Sequence, residues 1–276
     1  MPELPEVEHI VRALERAVTG AQVVAAELRQ KKLAPGLSRA SFNRKLAGAR
    51  INAVRRRGKF ILFELDTAQV LLVHLRMTGK FLALDPDDSL AAYAHVIFYL
   101  ADERRLVFCD MRQFGRMKIL PAPLVQASRE LAALAPEPLS DDFTPDYLYA
   151  TLSRSQRPLK LLLLDQTRVL GLGNIYASEA LWIARISPFA VAASVAKRRV
   201  VRLHAAIQEV LSEAISQGST LQVDLADGGA RYFGSPERFW RVYEREGEPC
   251  GNCGTKIRRA VQGGRSTYYC LRCQRR

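Results

Sequence analysis

The chain is predicted to be an α+β protein of several domains: an N-terminal helix on an antiparallel β-sandwich, a helical domain, and a small cysteine-rich β-hairpin. Three observations predict this. Short apolar segments separated by turn residues fill positions 21 to about 120. Helical patterns dominate from Asp142 to Gly218. Four of the five cysteines close the chain as two Cys-x2-Cys pairs, Cys250/Cys253 and Cys270/Cys273, with 16 residues between them. A chain of 276 residues is long enough for two modest domains with real cores.

The first helix is read from Val7, Ile10, Val11, Leu14 and Val18, which recur at helical spacing. Pro5 and the neighbouring glutamates suit a first turn, and Gly20 suits the stop. Strand-like runs follow at 59–65, 70–75, 95–100 and 105–109, divided by turns such as Asp85-Pro86-Asp87-Asp88. Proline-rich residues 134–142 read as a linker. Thr144-Pro145 opens one helix, Pro158 a second, Asn174–Arg185 is a third, and Val195–Gln217 a long fourth. The glycine-rich, polar stretch 219–235 reads as a flexible loop, and the tail from about 240 as a hairpin. The domains expected are therefore 1–133, 143–235 and 236–276, with the linker between the first two.

Charge narrows the function. The net charge is +13 and the pI about 9.8, and after Glu248 seven Lys or Arg follow with no acidic residue. That excess favours a polyanionic partner. A membrane surface competes, but no strongly basic amphipathic helix with a large aromatic face is evident, and no apolar run reaches a membrane span. The acidic start lacks a signal-peptide pattern, so an intracellular, cytoplasmic protein that touches no membrane is expected. In a reducing compartment, two Cys-x2-Cys pairs read as zinc ligands rather than disulfides. Four thiolates close the coordination sphere, so the zinc is expected to be structural and to hold a hairpin too small to fold alone. Cys109, in the apolar run 106–109, reads as a buried small hydrophobe.

The N-terminus can be read in two ways. Pro2 follows the initiator methionine. Once Met1 is removed, it carries a free secondary amine. A terminal amine titrates near 7.7–8.0, against about 10.4 for lysine, so far more of it is neutral at pH 7. A prolyl amine is somewhat more basic, which narrows the advantage. A secondary amine attacking a sugar aldehyde carbon gives a cationic iminium. Glu3 and Glu6 lie beside it and could move protons. The plainer reading makes Glu6 and Glu8 nothing more than residues that complement a helix dipole.

Met1-Pro2-Glu3-Leu4-Pro5-Glu6-Val7-Glu8 resembles, in letters and in position, the signature of the formamidopyrimidine-DNA glycosylase family. The resemblance extends over nearly the whole chain. It implies a zinc-containing enzyme that removes oxidised purines from duplex DNA and cleaves abasic sites, acting as a monomer. It implies Pro2 as nucleophile, Glu3 in proton transfer, Glu6 shaping the site, and Lys59, within Arg55-Arg56-Arg57-Gly58-Lys59-Phe60, as the essential lysine contacting phosphate. Gly171-Leu172-Gly173-Asn174 looks like the start of the helix–two-turn–helix, where Asn174 grips phosphate; on physical grounds it could also cap the helix. His95 and Lys160 match a backbone-contacting histidine and a lysine near the site. Arg265, between the cysteine pairs, matches the hairpin arginine on DNA.

Excision needs the target nucleotide out of the stack, at a cost of a few kcal/mol, and something must fill the gap. The resemblance assigns this to Met77, Arg112 and Phe114. Two departures stand out: Met111 and Gln113 replace the proline and second arginine often found before this phenylalanine. Contacts to the opposite strand are therefore open. The lesion-reading loop is expected at 219–232, with Thr220 and Tyr232 as candidate base contacts. The rival readings are an endonuclease VIII-like glycosylase for oxidised pyrimidines and a noncatalytic zinc-ribbon DNA-binding protein.

Overall fold

The computed structural model of the chain describes residues 1–216, 221–222, 231–232 and 240–275. They form two compact units, one built on Met1–Ala132, the other on residues 133–216 and 240–275.

The first unit begins with helix α1 (Leu4–Val18), which packs on strands β2 (Ile51–Arg57) and β3 (Phe60–Leu65). Its expected apolar face is the face it buries: Val7, Ile10, Val11, Leu14 and Val18 all join one core with the strands. The chain then runs through β1 (Val23–Leu28) and helix α2 (Arg39–Leu46) to β2 and β3. After these come β4 (Gln69–His74), β5 (Gly79–Leu84), β6 (Ala94–Leu100), β7 (Arg105–Asp110) and β8 (Arg116–Pro121). Two antiparallel sheets result, ordered β1-β6-β7-β5 and β2-β3-β4-β8. Phe63 of one sheet meets Phe81 of the other edge-on at 5.6 Å, and Phe81 meets Phe108 at 5.1 Å. Helix α2 was not expected. It buries only Phe42 and Leu46, one turn apart, and its remaining residues are polar or small, so it carries little periodic signal. Ser38 starts it by accepting the Ser41 N–H at 3.0 Å.

The second unit holds α3 (Pro145–Ser153), α4 (Leu159–Leu163), α5 (Asn174–Ile183) and α6 (Lys197–Ser216). As expected, Thr144 caps α3, accepting the Tyr147 N–H at 3.0 Å. Three details differ from expectation. Helix α5 stops at Ile183, and Arg185 turns left-handed at φ +54°. Helix α6 starts at Lys197 and not Val195, because Val195 has extended backbone after the short turn Ala192–Ser194. Gly173, not Asn174, occupies the N-cap of α5.

A short pairing of β9 (Leu221–Gln222) with β10 (Arg231–Tyr232) groups with the first unit. The expected lesion-reading loop otherwise falls outside the described residues, Ser219 and Thr220 included, and Tyr232 is described only as a strand position. The tail forms the hairpin β11 (Arg258–Gln262) and β12 (Arg265–Tyr269). Its two-residue turn, Gly263-Gly264, has φ +57° and +73°, a conformation for which glycine is suited at both positions.

Candidate functional site

At the start of α1, Glu3 and Glu6 cap the helix reciprocally. Glu6 Oε2 accepts the backbone N–H of Glu3 at 2.8 Å, and the Glu3 side chain accepts the backbone N–H of Glu6. This reciprocal cap satisfies two helix-terminal donors and fixes the backbone next to Pro2. Pro2 is buried, and Glu3 and Glu6 are 3% and 1% exposed. Burial of carboxylates is unusual, and the reciprocal cap supplies the hydrogen bonds that these two need.

One turn further, Glu8 receives Arg56 Nε at 2.7 Å and Arg12 Nε at 2.8 Å. Burial pushes the Glu8 carboxyl up, but hydrogen bonds and charge from Arg56 and Arg12 outweigh it and hold it below the usual carboxylate range. The Glu8–Arg56 pair ties α1 to the β2–β3 hairpin, whose turn, Gly58-Lys59, carries Lys59. Lys59 is 4% exposed, in the turn rather than in the strand. Beside it, burial, with the charges of Arg76 and Lys59, pushes His74 down to about 3. Its Nδ1 accepts the Arg76 N–H at 3.0 Å, so the ring is neutral.

Met77 and Phe114 are 41% and 45% exposed, unlike the surrounding core. The Arg112 guanidinium lies over the Phe114 ring, 4.7 Å from its centroid. The loops bearing these three residues are joined by Asp110, which is 1% exposed. One Asp110 oxygen takes the Thr78 hydroxyl, and the other takes the Gly115 N–H at 2.7 Å. Thr78 Oγ1 in turn accepts the Arg112 N–H at 3.1 Å. Both loops lean on Phe108: a Cβ added at Gly79 or Gly115 would come within 2.7 Å or 2.8 Å of its ring. Gln113, at φ +54°, accepts from Gln30 Nε2 at 3.1 Å. His95 sits at the β6–β7 bulge, and its buried Nε2 has no partner among the described residues.

In the second unit, Lys160 and Asn174 converge on the hairpin. Lys160 Nζ donates to the Ser266 carbonyl and to Thr267 Oγ1, both at 2.9 Å. Asn174 Nδ2 donates to the same carbonyl at 2.9 Å. Neighbouring Arg265 is exposed at the start of β12. The Asn174 amide nitrogen is thus directed at the hairpin, and Asn174 itself stands at the first position inside the helix, after the Gly173 N-cap. Lys160 is 1% exposed, with its ammonium turned into the hairpin.

The sulfurs of Cys250, Cys253, Cys270 and Cys273 all lie within 4.8 Å of one another. Two separations are 3.9 Å (Cys250–Cys273) and 3.4 Å (Cys253–Cys270). Sulfurs about 2.3 Å from a tetrahedral zinc sit about 3.8 Å apart, so the cluster fits that ion. Trp182 Nε1 and Asn252 Nδ2 donate to Cys250 and Cys273 sulfurs at 3.4 Å and 3.1 Å, orienting the ligands. Cys109 is buried as expected, and burial pushes its thiol up to about 11.

Three known domains match in the same order: the formamidopyrimidine-DNA glycosylase N-terminal domain over residues 1–117, its H2TH domain over 134–224, and the zinc finger found in FPG and IleRS over 247–276. The formamidopyrimidine-DNA glycosylase of Pelotomaculum thermopropionicum is 41% identical over 275 residues, covering 100% of this chain and 99% of its own. This chain belongs to the formamidopyrimidine-DNA glycosylase family. That of Chloroflexus aurantiacus is 43% identical over 281 residues, covering 99% of this chain and 98% of its own. A crystal structure of Lactococcus lactis Fpg with DNA containing an abasic site superposes with a TM-score of 0.90 at 31% identity, covering 99% of this chain and 100% of that one. Family membership makes the chain a DNA glycosylase of base excision repair, with a structural zinc site in its tail.

Within this glycosylase framework, local sequence missed the residues that hold others in place. Glu8, Asp110, Thr78 and the Ser266 carbonyl each act on a partner distant in sequence or buried in a strand end. Only Asp110 left a trace, as a carboxylate closing an otherwise apolar run.

Proposed function

We propose that the chain excises oxidised purines, 8-oxoguanine opposite cytosine and formamidopyrimidines, from duplex DNA, and then cleaves the strand at the abasic sugar. The observation that carries this reading is the buried Pro2 followed by a reciprocal Glu3–Glu6 cap. The cap fixes the nucleophile's backbone and places a carboxylate beside it.

With Met1 in place the Pro2 nitrogen is an amide and has no nucleophilic lone pair. Removal of Met1 makes it a secondary amine. Its lone pair attacks C1′ of the damaged nucleotide, and the C1′–base bond breaks with its electrons leaving on the base. Glu3 moves the protons that base departure and sugar opening require, and Glu6 holds Glu3 in position. The resulting iminium acidifies the 2′ hydrogen; its loss expels the 3′ phosphate, and a second elimination expels the 5′ phosphate. The products are a one-nucleotide gap with phosphate at both ends. The zinc site supplies no step: four thiolates leave no open position, and its role is to hold the hairpin.

Lys59, His95, Asn174 and Arg265 hold phosphates. The partnerless Nε2 supports the role of His95. An amide carries two N–H donors, so Asn174 can keep Ser266 and still reach a phosphate oxygen. Lys160 acts indirectly, by positioning the hairpin. Met77, Arg112 and Phe114 fill the space left by the extruded nucleotide, which their exposure supports. The enzyme works as a monomer in the cytoplasm; among the described residues no helix is long and apolar enough to cross a membrane. The test is a panel of duplexes assayed for base release. Faster release of 8-oxoguanine and formamidopyrimidine than of oxidised pyrimidines supports the reading, and the reverse order moves the chain to endonuclease VIII-type specificity.

A further inference from the structure

Arg185, Arg198, Arg199, Arg202, Arg272 and Arg275 line one open pocket of about 680 Å³ in the second unit. Among the described residues none of the six pairs with a carboxylate, whereas nearby Arg157, Arg241 and Arg245 each do. Arg199 donates to the carbonyls of Arg275 at 2.8 Å and Arg185 at 3.3 Å, and Arg185 to Asn252 Oδ1 at 3.4 Å. Burial, then the charges of Arg202 and Arg198, hold the Arg199 guanidinium below its ordinary range. The zinc tetrathiolate, two of whose cysteines line the pocket, carries a net charge of about −2 and offsets part of this charge; the remaining like charges repel one another unless a further anion joins them.

The plainest account is that arginines gather at the C-terminus of α5, where carbonyls attract cations. It covers Arg199. It leaves Arg198 and Arg202, exposed on α6, and Arg272, exposed between two zinc ligands. The pocket is also not the hairpin site seen from another side. Helix α5 runs from Asn174 at the Ser266 joint to Ile183, next to Arg185; ten residues of helix span about 15 Å. Strand β12 leaves the same joint, running from Arg265 to Tyr269, the residue before the zinc ligand Cys270, over a similar length.

We infer that this pocket binds the phosphate backbone of a second stretch of duplex DNA, apart from the stretch held at the hairpin. Planar guanidinium forks match phosphate oxygens in pairs. The rest of the lining is Asn252, Cys253 and Cys273, so no aromatic or aliphatic side chain is there to anchor a peptide. A protein with two such surfaces can pass directly from one duplex to another. The inference rests on the proposed DNA substrate only for its choice of polyanion.

The test uses full-length, zinc-loaded protein bound to a labelled lesion duplex, with dissociation followed as unlabelled undamaged duplex is added. In the wild type the dissociation rate rises several-fold with competitor concentration, because the second duplex binds before the first leaves. In an Arg198→Ala/Arg202→Ala/Arg272→Ala variant it is independent of competitor, while affinity for the lesion duplex and borohydride trapping are unchanged. Arg202→Glu alone lowers the acceleration, and the corresponding triple lysine variant keeps most of it. Acceleration that survives in the triple alanine variant overturns the proposal. So does a parallel loss of lesion-duplex affinity, which would assign these arginines to the primary site. Acceleration by polyglutamate equal to that by DNA would assign the pocket to an acidic protein instead. Intact trapping without acceleration in the wild type overturns the proposal and leaves the glycosylase reading standing.

Discussion

The side-chain amide of Asn174 donates to the backbone carbonyl of Ser266 at 2.9 Å, 92 residues further along the chain. Lys160 donates to the same oxygen. One carbonyl therefore joins the start of α5, the α4 segment and the hairpin strand that carries Arg265. This strand of the zinc hairpin is held from the helical side by three hydrogen bonds, two to this carbonyl and one from Lys160 to Thr267 Oγ1, and by the zinc cluster at its other end.

Asn174→Ala should therefore do more than remove the proposed phosphate contact. It is expected to cost about 1 kcal/mol of stability, the net worth of a typical hydrogen bond. It should also loosen the β12 amides near Arg265. Hydrogen exchange at Ser266 and Thr267 checks this: protection should drop in Asn174→Ala and remain in Arg265→Ala, although both weaken DNA binding.

Asp110→Ala removes the acceptor shared by Thr78 and Gly115, leaving the buried Gly115 N–H and the half-buried Thr78 hydroxyl without it. A loss of about 1–3 kcal/mol in stability is expected. Excision from duplex DNA should fall more than excision from a substrate whose lesion is already unstacked, because the wedge loops would no longer be held together. Single-turnover rates on a matched duplex and on a bulged one give the comparison.

His74 predicts an acid-sensitive core edge. Burial, with the charges of Arg76 and Lys59, holds its pKa at about 3, against 6.5 for a free histidine. A depressed pKa stabilises the fold above pH 6.5, and the contribution is lost as pH falls from 6.5 towards 3. One such proton is worth about 1.4 kcal/mol per pH unit within that window. Between pH 7 and 5 the wild type should lose about 1–2 kcal/mol more than His74→Phe in urea unfolding.

Removal of zinc should unfold the hairpin before it disturbs the sandwich. Structural zinc sites of this kind supply the folding energy of domains too small to form cores. With a strong chelator, the fluorescence of Trp182, which donates to Cys250, should change first. Amide protection in β6 and β7 should persist.

Much of the architecture was legible because it rests on local pattern. The apolar face of α1 appears at its helical spacing, the strand runs are bounded by turn residues, and the two cysteine pairs have ligand spacing. Helix α2 was not legible, since Phe42 and Leu46 alone cannot announce a helix. The candidate site was legible as a roster and much less as an arrangement. Glu6 reads as an acidic residue in a first helical turn, and nothing local says that it accepts the Glu3 N–H. Arg56 reads as one member of a basic run, yet it pairs with Glu8 across 48 residues of chain. Asn174 reads as a cap, and nothing local says that its amide reaches the Ser266 carbonyl 92 residues further on. Partnerships of this kind depend on tertiary placement and leave no periodicity behind.

The central claim is that the amine of Pro2 forms the covalent bond to DNA. The direct measurement is borohydride trapping on an 8-oxoguanine duplex, followed by digestion and mass spectrometry of the cross-linked peptide. The account predicts that the adduct lies on a peptide beginning at Pro2, and that protein retaining Met1 gives none. A cross-link on Lys59 or any other lysine, or one formed with Met1 still attached, would contradict it.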